Sequence, residues 1–435
     1  MRIESSSSSS KPLPISAQAE LTTELLLRER LMEEKQPIHA KWFTIALFAS
    51  FLPFALSFAS SFRSLAEFIQ ADSAWDPPVT AEDMLLLDGA MIAPSVITPV
   101  LLGIALDASW SLNLSLLVCL ISSVFGQFLV AMGIAWHSFG LLLTGRVVSG
   151  ISFGPTFVVA DTIAVQFNRR RRSFGIGMIL AVKMIAICLN RFWIRQTTID
   201  SLQQDYEKAN DMMLIFSLLC LGVGFLWTPL VDSFGMTDSS KNNRLWKWHV
   251  PRPVWALAAC LILVTVFNTE IFVNRPRTTE WYAVLTGTVV LGPLLGYILD
   301  RTDKSQGGSL SICRWLLGVS VFVLVGFALD EMIGINAGSN LAAFGLGTLP
   351  MLLRSAVPQV ASRDNISTSL GVIEGASFVA ALFLSSDISQ PTFLFKLALL
   401  IPLVALLAYV RESLWAKFPQ SKGLHPVEPS HVRGA

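Results

Sequence analysis

Gly103-Ile104-Ala105-Leu106-Asp107 closes one long apolar run of the chain, and Gly296-Tyr297-Ile298-Leu299-Asp300-Arg301-Thr302-Asp303-Lys304 closes another. Both stretches carry the spacing Gly-x-x-x-Asp, and each follows the second apolar run of its half of the sequence. One such pentapeptide says little. Two copies at equivalent places mark an internal parallel repeat of two helical lobes.

The runs on either side of these corners have the length of membrane spans, which need about 20 apolar residues. Candidate spans fall at 42–69, 82–106, 111–134, 138–165, 173–195 and 209–232, then at 250–274, 279–299, 311–329, 336–357, 365–386 and 390–412. The expected fold is an all-α membrane protein, with twelve transmembrane helices in two pseudo-symmetric six-helix bundles at 42–233 and 250–414. A linker at 234–249 joins them, a polar tail at 1–41 reads as disordered and cytosolic, and a second polar tail occupies 415–435. Composition agrees: 53% of the 435 residues are hydrophobic and only 14% are charged. The net charge of +1 gives no pull toward nucleic acid. The Ser5–Ser10 run and the charged stretch to Lys41 precede any apolar segment, so the start does not read as a signal peptide.

Loop charges alternate in step with the spans. With the N-terminus inside, the inner loops hold Arg169–Arg172, then Lys241, Arg244 and Lys247, then Arg301 and Lys304, then Arg354 and Arg363, then Arg411 and Lys417. The outer loops hold Asp72, Asp76, Glu82, Asp83, Asp200, Asp205 and Glu207. This is the positive-inside pattern, and it places both ends in the cytosol.

The two corners resemble the loop motif of the major facilitator superfamily, Gly-x-x-x-Asp-(Arg/Lys)-x-Gly-(Arg/Lys). The resemblance implies a gating latch at Gly103, Asp107, Gly296, Asp300 and Arg301. There the glycine allows close helix packing, and the aspartate caps a helix end and pairs with basic groups. The first copy has Ala108 and Trp110 where the motif has a basic residue and a glycine. Gly145-Arg146-Val147-Val148-Ser149-Gly150-Ile151-Ser152-Phe153-Gly154 resembles the fourth-helix motif of the same superfamily. Within Gly126–Asn190 the chain is similar to the lysosomal dipeptide transporter branch, although Pro155 and Thr156 stand where that branch has an acid. That likeness implies a dipeptide or amino-acid-like solute, a lysosomal, vacuolar or plasma membrane, and a glycosylated accessory subunit.

Ionisable groups inside spans cost about 2.5–3.5 kcal/mol at a helix centre, so each one present asks for a role. Lys183 and Glu374 fall near the middle of the fifth and eleventh spans, and Asn190 shares a face with Lys183. They are candidate ligands for a solute carboxylate, its amine and a hydrogen bond; a structural ion pair is the alternative. Arg146 is either a solute ligand or a link between helices of the first half. Asp161 reads as a latch partner for the basic inner loops. Arg63, Asp88, Glu270 and Lys396 lie toward the outer ends, with Arg63 and Glu270 the better placed to reach a solute. Trp42, Trp136, Trp193, Trp281 and Trp415 sit near span ends, where indoles favour the interface.

No P-loop, HExxH or clustered histidine set occurs, so no cofactor, no metal and no enzymatic site is expected. Cys119, Cys188, Cys220, Cys260 and Cys313 read as small apolar residues. The functional expectation is a secondary transporter of a small polar solute working by alternating access. The alternatives are a proton-coupled organic-anion transporter and a non-transporting scaffold or receptor of the same fold.

Overall fold

The computed structural model describes residues 51–60, 62–108, 110–167, 171–199, 206–233, 250–274, 278–306, 309–333, 336–383 and 405–412. The tails 1–41 and 415–435 and the linker 234–249 lie outside the described residues. Every regular element among the described residues is helical.

We number the helices in chain order. Helix α1 is Phe51–Ser60, followed by a 3-10 turn, Phe62–Leu65, and a short helix, Ala66–Ala71. Then come α2 Ala81–Asp107, α3 Leu112–Ala135, α4 Phe139–Phe167, α5 Arg172–Ile199, α6 Tyr206–Ser233 and α7 Arg252–Asn274. Helix α8 is made of Thr279–Thr286, a π turn Gly287–Leu291, and Gly292–Gln306. The rest are α9 Ser309–Ile333, α10 Asn336–Val360, α11 Ile366–Phe383 and α12 at 405–412. The observed helices follow the expected spans within a few residues. The main departures are α8, which runs on past 299 to Gln306, the first span, which divides into α1, a 3-10 turn and a short helix, and α10, which runs on past Pro358 to Val360.

Helices α2, α3, α4, α5, α6, α8 and α10 each contain a stretch long and apolar enough to cross a bilayer; α1, α7, α9 and α11 hold shorter apolar stretches. Local chemistry sets where they start. Thr80 and Asp83 form a reciprocal capping box on α2, Ser111 caps α3 and Thr278 caps α8. Prolines 94 and 99 in α2, 155 in α4, and 350 and 358 in α10 sit inside helices. A membrane helix tolerates them where neighbouring groups satisfy the freed carbonyls, as Asn268 Nδ2 does by donating to the Leu346 carbonyl, which Pro350 leaves without its helical partner, at 3.1 Å.

Sidedness follows from burial. Leu114, Val118, Ile121, Phe125 and Phe128 form an exposed stripe along α3, at steps of three and four residues. Such a face belongs against hydrocarbon rather than water. Among the seven longest apolar helices α4 and α10 are the most enclosed: 83% and 78% of their apolar windows are buried, against 33% for α2 and α6.

The internal repeat reappears as packing. Ser95 on α2 directs its hydroxyl to the carbonyls of Met91 and Gly150, at 2.9 and 2.8 Å. Thr288 on α8 does the same with Val284 and Gly347, at 3.0 and 2.9 Å. Ser95 and Thr288 are as far apart in sequence as Gly103 and Gly296. Further along the same helices, Gly371 of α11 lies against the Pro99 carbonyl, and Gly177 of α5 against the Gly292 carbonyl. A Cβ at either glycine would collide with backbone.

Candidate functional site

The first α-helical N–H groups have no partner within their helix, and that end carries partial positive charge. Both corner aspartates meet this need, each for a helix of the other half. Asp107, ending α2, accepts from the Ser367 and Thr368 N–H groups at 3.2 and 2.7 Å and from the Thr368 hydroxyl at 2.6 Å, at the start of α11. Asp300 on α8 accepts from the Ser173 and Phe174 N–H groups at 3.0 and 2.8 Å, at the start of α5. Gly103 lies against the Ser367 carbonyl and Gly296 against the Ser173 carbonyl, so side chains there would hold the helices apart. The contacts are made between carboxylate and helix end. Neither Ala108 nor Trp110 takes part in the Asp107 contacts, and Arg301 is exposed.

Deeper in the molecule, four charged side chains from four helices converge. Arg354 of α10 donates from Nη1 to Asp161 Oδ2 of α4 at 3.0 Å, pairs through Nη2 with Glu374 of α11, and reaches the Ser377 hydroxyl at 3.2 Å. Lys183 of α5 places Nζ 3.5 Å from Glu374 Oε1. Two acids and two bases thus form a chain, Asp161–Arg354–Glu374–Lys183, that crosses twice between the halves and has no net charge. Desolvating such groups is tolerable only because they are paired. Asp161 Oδ1 and Arg354 Nε are buried without a hydrogen-bond partner, and the two Glu374 oxygens are held by their ion-pair contacts to Lys183 and Arg354.

Accessibility within the chain is uneven. The side chains of Asp161, Arg354 and Glu374 are 0–3% exposed, whereas that of Lys183 is 19% exposed. Lys183 also has the loosest ion-pair contact of the two cations. Its ammonium otherwise faces hydrocarbon: Nζ lies 4.1 Å from the Phe157 ring centre, 5.6 Å from that of Phe378 and 5.8 Å from that of Phe153.

The remaining expected residues sit elsewhere. Asn190 is fully buried and donates from Nδ2 to the Phe58 carbonyl at 2.8 Å, tying α5 to α1. Arg146 is satisfied inside the first half: the Leu87 and Ser60 carbonyls each at 3.4 Å, Asp88 at 3.5 Å, and the Phe62 ring at 4.8 Å. Asp88 therefore pairs with Arg146. The side chains of Arg63, Glu270 and Lys396 lie outside the described residues. Trp136 and Trp193 are exposed near the ends of α3 and α5.

Sequence reasoning placed Arg354 in an inner loop; it is instead the hub of the buried chain. The available signal was the apolar Val357 and Val360 beyond it, and the small residues Ser355 and Ala356, which continue the buried face of α10. Asp161 does meet a basic partner, but that partner is this buried arginine.

No family model matches the sequence, and no curated protein matches it. Solved structures do match it in fold, the major facilitator fold, and its long apolar helices are those of an integral, multi-pass membrane protein. One is the human organic anion transporter MFSD10 (TETRAN), with TM-score 0.57, 15% identity, and coverage of 88% of this chain and 99% of that one. Another is the proton:xylose symporter XylE bound to 6-bromo-6-deoxy-D-glucose, with TM-score 0.59, 12% identity, and coverage of 87% and 96%.

Proposed function

We propose that the protein is a secondary transporter that moves a small carboxylate-bearing solute by alternating access, with the end that carries Asp107 and Asp300 facing the cytosol. The observation that carries this reading is the neutral chain of four buried charges between the halves, whose one accessible member is the cation Lys183. A solute carboxylate competes with Glu374 for Lys183, while Arg354 continues to hold Glu374. Binding at this level, between bundles that rock about it, is the physical basis of alternating access. The two capped corners close the cytosolic end in this state. The basic run Arg169–Arg172 at the α4–α5 connection supports the orientation.

The carboxylate reading is preferred to a dipeptide because Glu374, the candidate partner for an amine, is already paired with Arg354. An organic anion transporter shares the fold, which agrees with it. A narrower dipeptide reading keeps Lys183 for the C-terminal carboxylate.

Uptake into proteoliposomes tests the proposal. Wild type is expected to accumulate a labelled monocarboxylate, and Lys183→Ala to abolish that accumulation while remaining folded. Undiminished uptake by Lys183→Ala would overturn the site assignment. Lack of thermal stabilisation by every member of a carboxylate and dipeptide panel would favour a scaffold of the same fold.

A further inference from the structure

Three phenylalanines surround the accessible cation and hold its ammonium by ring contacts in addition to its ion pair. Phe153 and Phe157 come from α4 and Phe378 from α11. Phe153 meets Phe157 edge-on at 5.1 Å between ring centres, and meets Phe378 at 5.8 Å and 67°. The cluster therefore straddles the two halves. Gly154 makes the crossing possible: a Cβ there would lie 3.3 Å from Phe378 Cε2 and collide with Pro99. Phe157 is 1% exposed, and Phe153 and Phe378 are 8% and 9% exposed. All three rings are therefore buried, Phe157 most deeply.

We infer that Phe153, Phe157 and Phe378 form an apolar subsite beside Lys183 that selects monocarboxylates bearing an aromatic or branched hydrocarbon group; this rests on the carboxylate reading above. The ammonium lies 4.1–5.8 Å from the three ring centres. A carboxylate paired with Lys183 therefore puts its first substituent carbons against ring carbon. No phenylalanine side chain offers a hydrogen bond, so a hydroxyl or a second carboxylate at that point would lose water without replacement. A phenyl or branched alkyl group loses nothing and gains burial and edge-to-face contact. Because Phe378 sits opposite Phe153 and Phe157, the subsite is complete only when α4 and α11 are together. Discrimination is therefore read as the halves close, not on first encounter.

The test compares benzoate and phenylacetate with acetate and lactate on the purified full-length protein. Thermal stabilisation gives half-saturating concentrations, and competition against labelled benzoate in proteoliposomes gives a second readout. Benzoate and phenylacetate are expected to bind about tenfold or more tighter than acetate and lactate. Phe153→Ala and Phe378→Ala are expected to collapse that ratio toward one. Phe153→Leu and Phe378→Leu, which preserve most of the packing, should lower it part of the way and guard against misfolding of the alanine variants. The ratio is internal to each variant, so differences in folded amount cancel. A wild-type ratio near one overturns the subsite and leaves the carboxylate site standing. A high ratio that survives all four substitutions overturns it too, because the hydrocarbon then lies elsewhere. Failure of all four acids to bind wild type, with Lys183→Ala indistinguishable from it, overturns both readings.

Discussion

Arg146 and Arg354 are both buried arginines on inner helices, each 3% exposed, yet their surroundings differ in kind. Arg146 is held at 3.4–3.5 Å by two carbonyls and Asp88, all from the first half, with Phe62 beneath it. Arg354 is clamped by two carboxylates, of which Asp161 comes from the opposite half. Carbonyls and a partly exposed acid secure a helix within its bundle and impose nothing on the other bundle. Two buried carboxylates on different helices make their arginine a condition for bringing the halves together. The comparison separates a residue that holds a bundle from one that governs how bundles meet.

The most damaging way to break the contrast is Arg354→Met. It strands two carboxylates in a low-dielectric interior, and removing one member of a buried pair costs about 3–5 kcal/mol. Thermal unfolding in detergent should show the drop, and adding Glu374→Gln should recover part of it. Uptake should be lost in both variants. Next in size is Arg146→Met, whose bonds are long and mostly to neutral carbonyls; a loss of about 1–3 kcal/mol is expected in the same assay. Its KM for a transported carboxylate should stay at the wild-type value. A large rise in KM would place Arg146 at the solute after all.

Smaller effects should appear at the corners. Gly103→Val or Gly296→Val wedges a side chain against an opposing carbonyl and should favour the state open at that end. The readout is faster maleimide labelling of a reporter Ser355→Cys, 4% exposed in the present state, in a background lacking the native cysteines. Unchanged labelling would mean that the corners do not set accessibility. Smaller again, Asp107→Asn or Asp300→Asn keeps the shape and one accepting oxygen but removes the charge and the second acceptor, and each should cost about 0.5–1.5 kcal/mol. Thr368→Val should cost no more than about 1 kcal/mol, through one neutral donor.

The extent to which the chain could be read in advance tracks how local each constraint is. A bilayer dictates the length and polarity of every span, so the helices were visible as apolar runs. Gly103/Asp107 and Gly296/Asp300 were visible because a close approach and a cap need fixed residue types at fixed spacing. Their partners Ser367, Thr368 and Ser173 were not, since a backbone N–H at a helix start carries no side-chain signature. Lys183 and Glu374 stood out as charges inside otherwise apolar runs. Arg354 did not, because Pro358 and the nearby Arg363 imitate the end of a span, whereas α10 carries Pro358 within it. Asn190 was recognisable as a buried polar group, but its choice of the Phe58 carbonyl depends on how α1 packs.

The four-charge chain has a consequence when it is divided along the seam rather than taken whole. The first half contributes Asp161 and Lys183, and the second contributes Arg354 and Glu374. Each half owns one acid and one base. Parting the halves therefore separates no net charge: neither wall of the opened cleft is left as a bare ion facing hydrocarbon. Arg354 and Glu374 already pair within the second half, and Asp161 and Lys183 are the matching couple left in the first. Opening the seam breaks Asp161–Arg354 and Lys183–Glu374, yet each wall keeps an acid and a base of its own, so these two buried ion pairs act as a zipper whose opening strands no net charge.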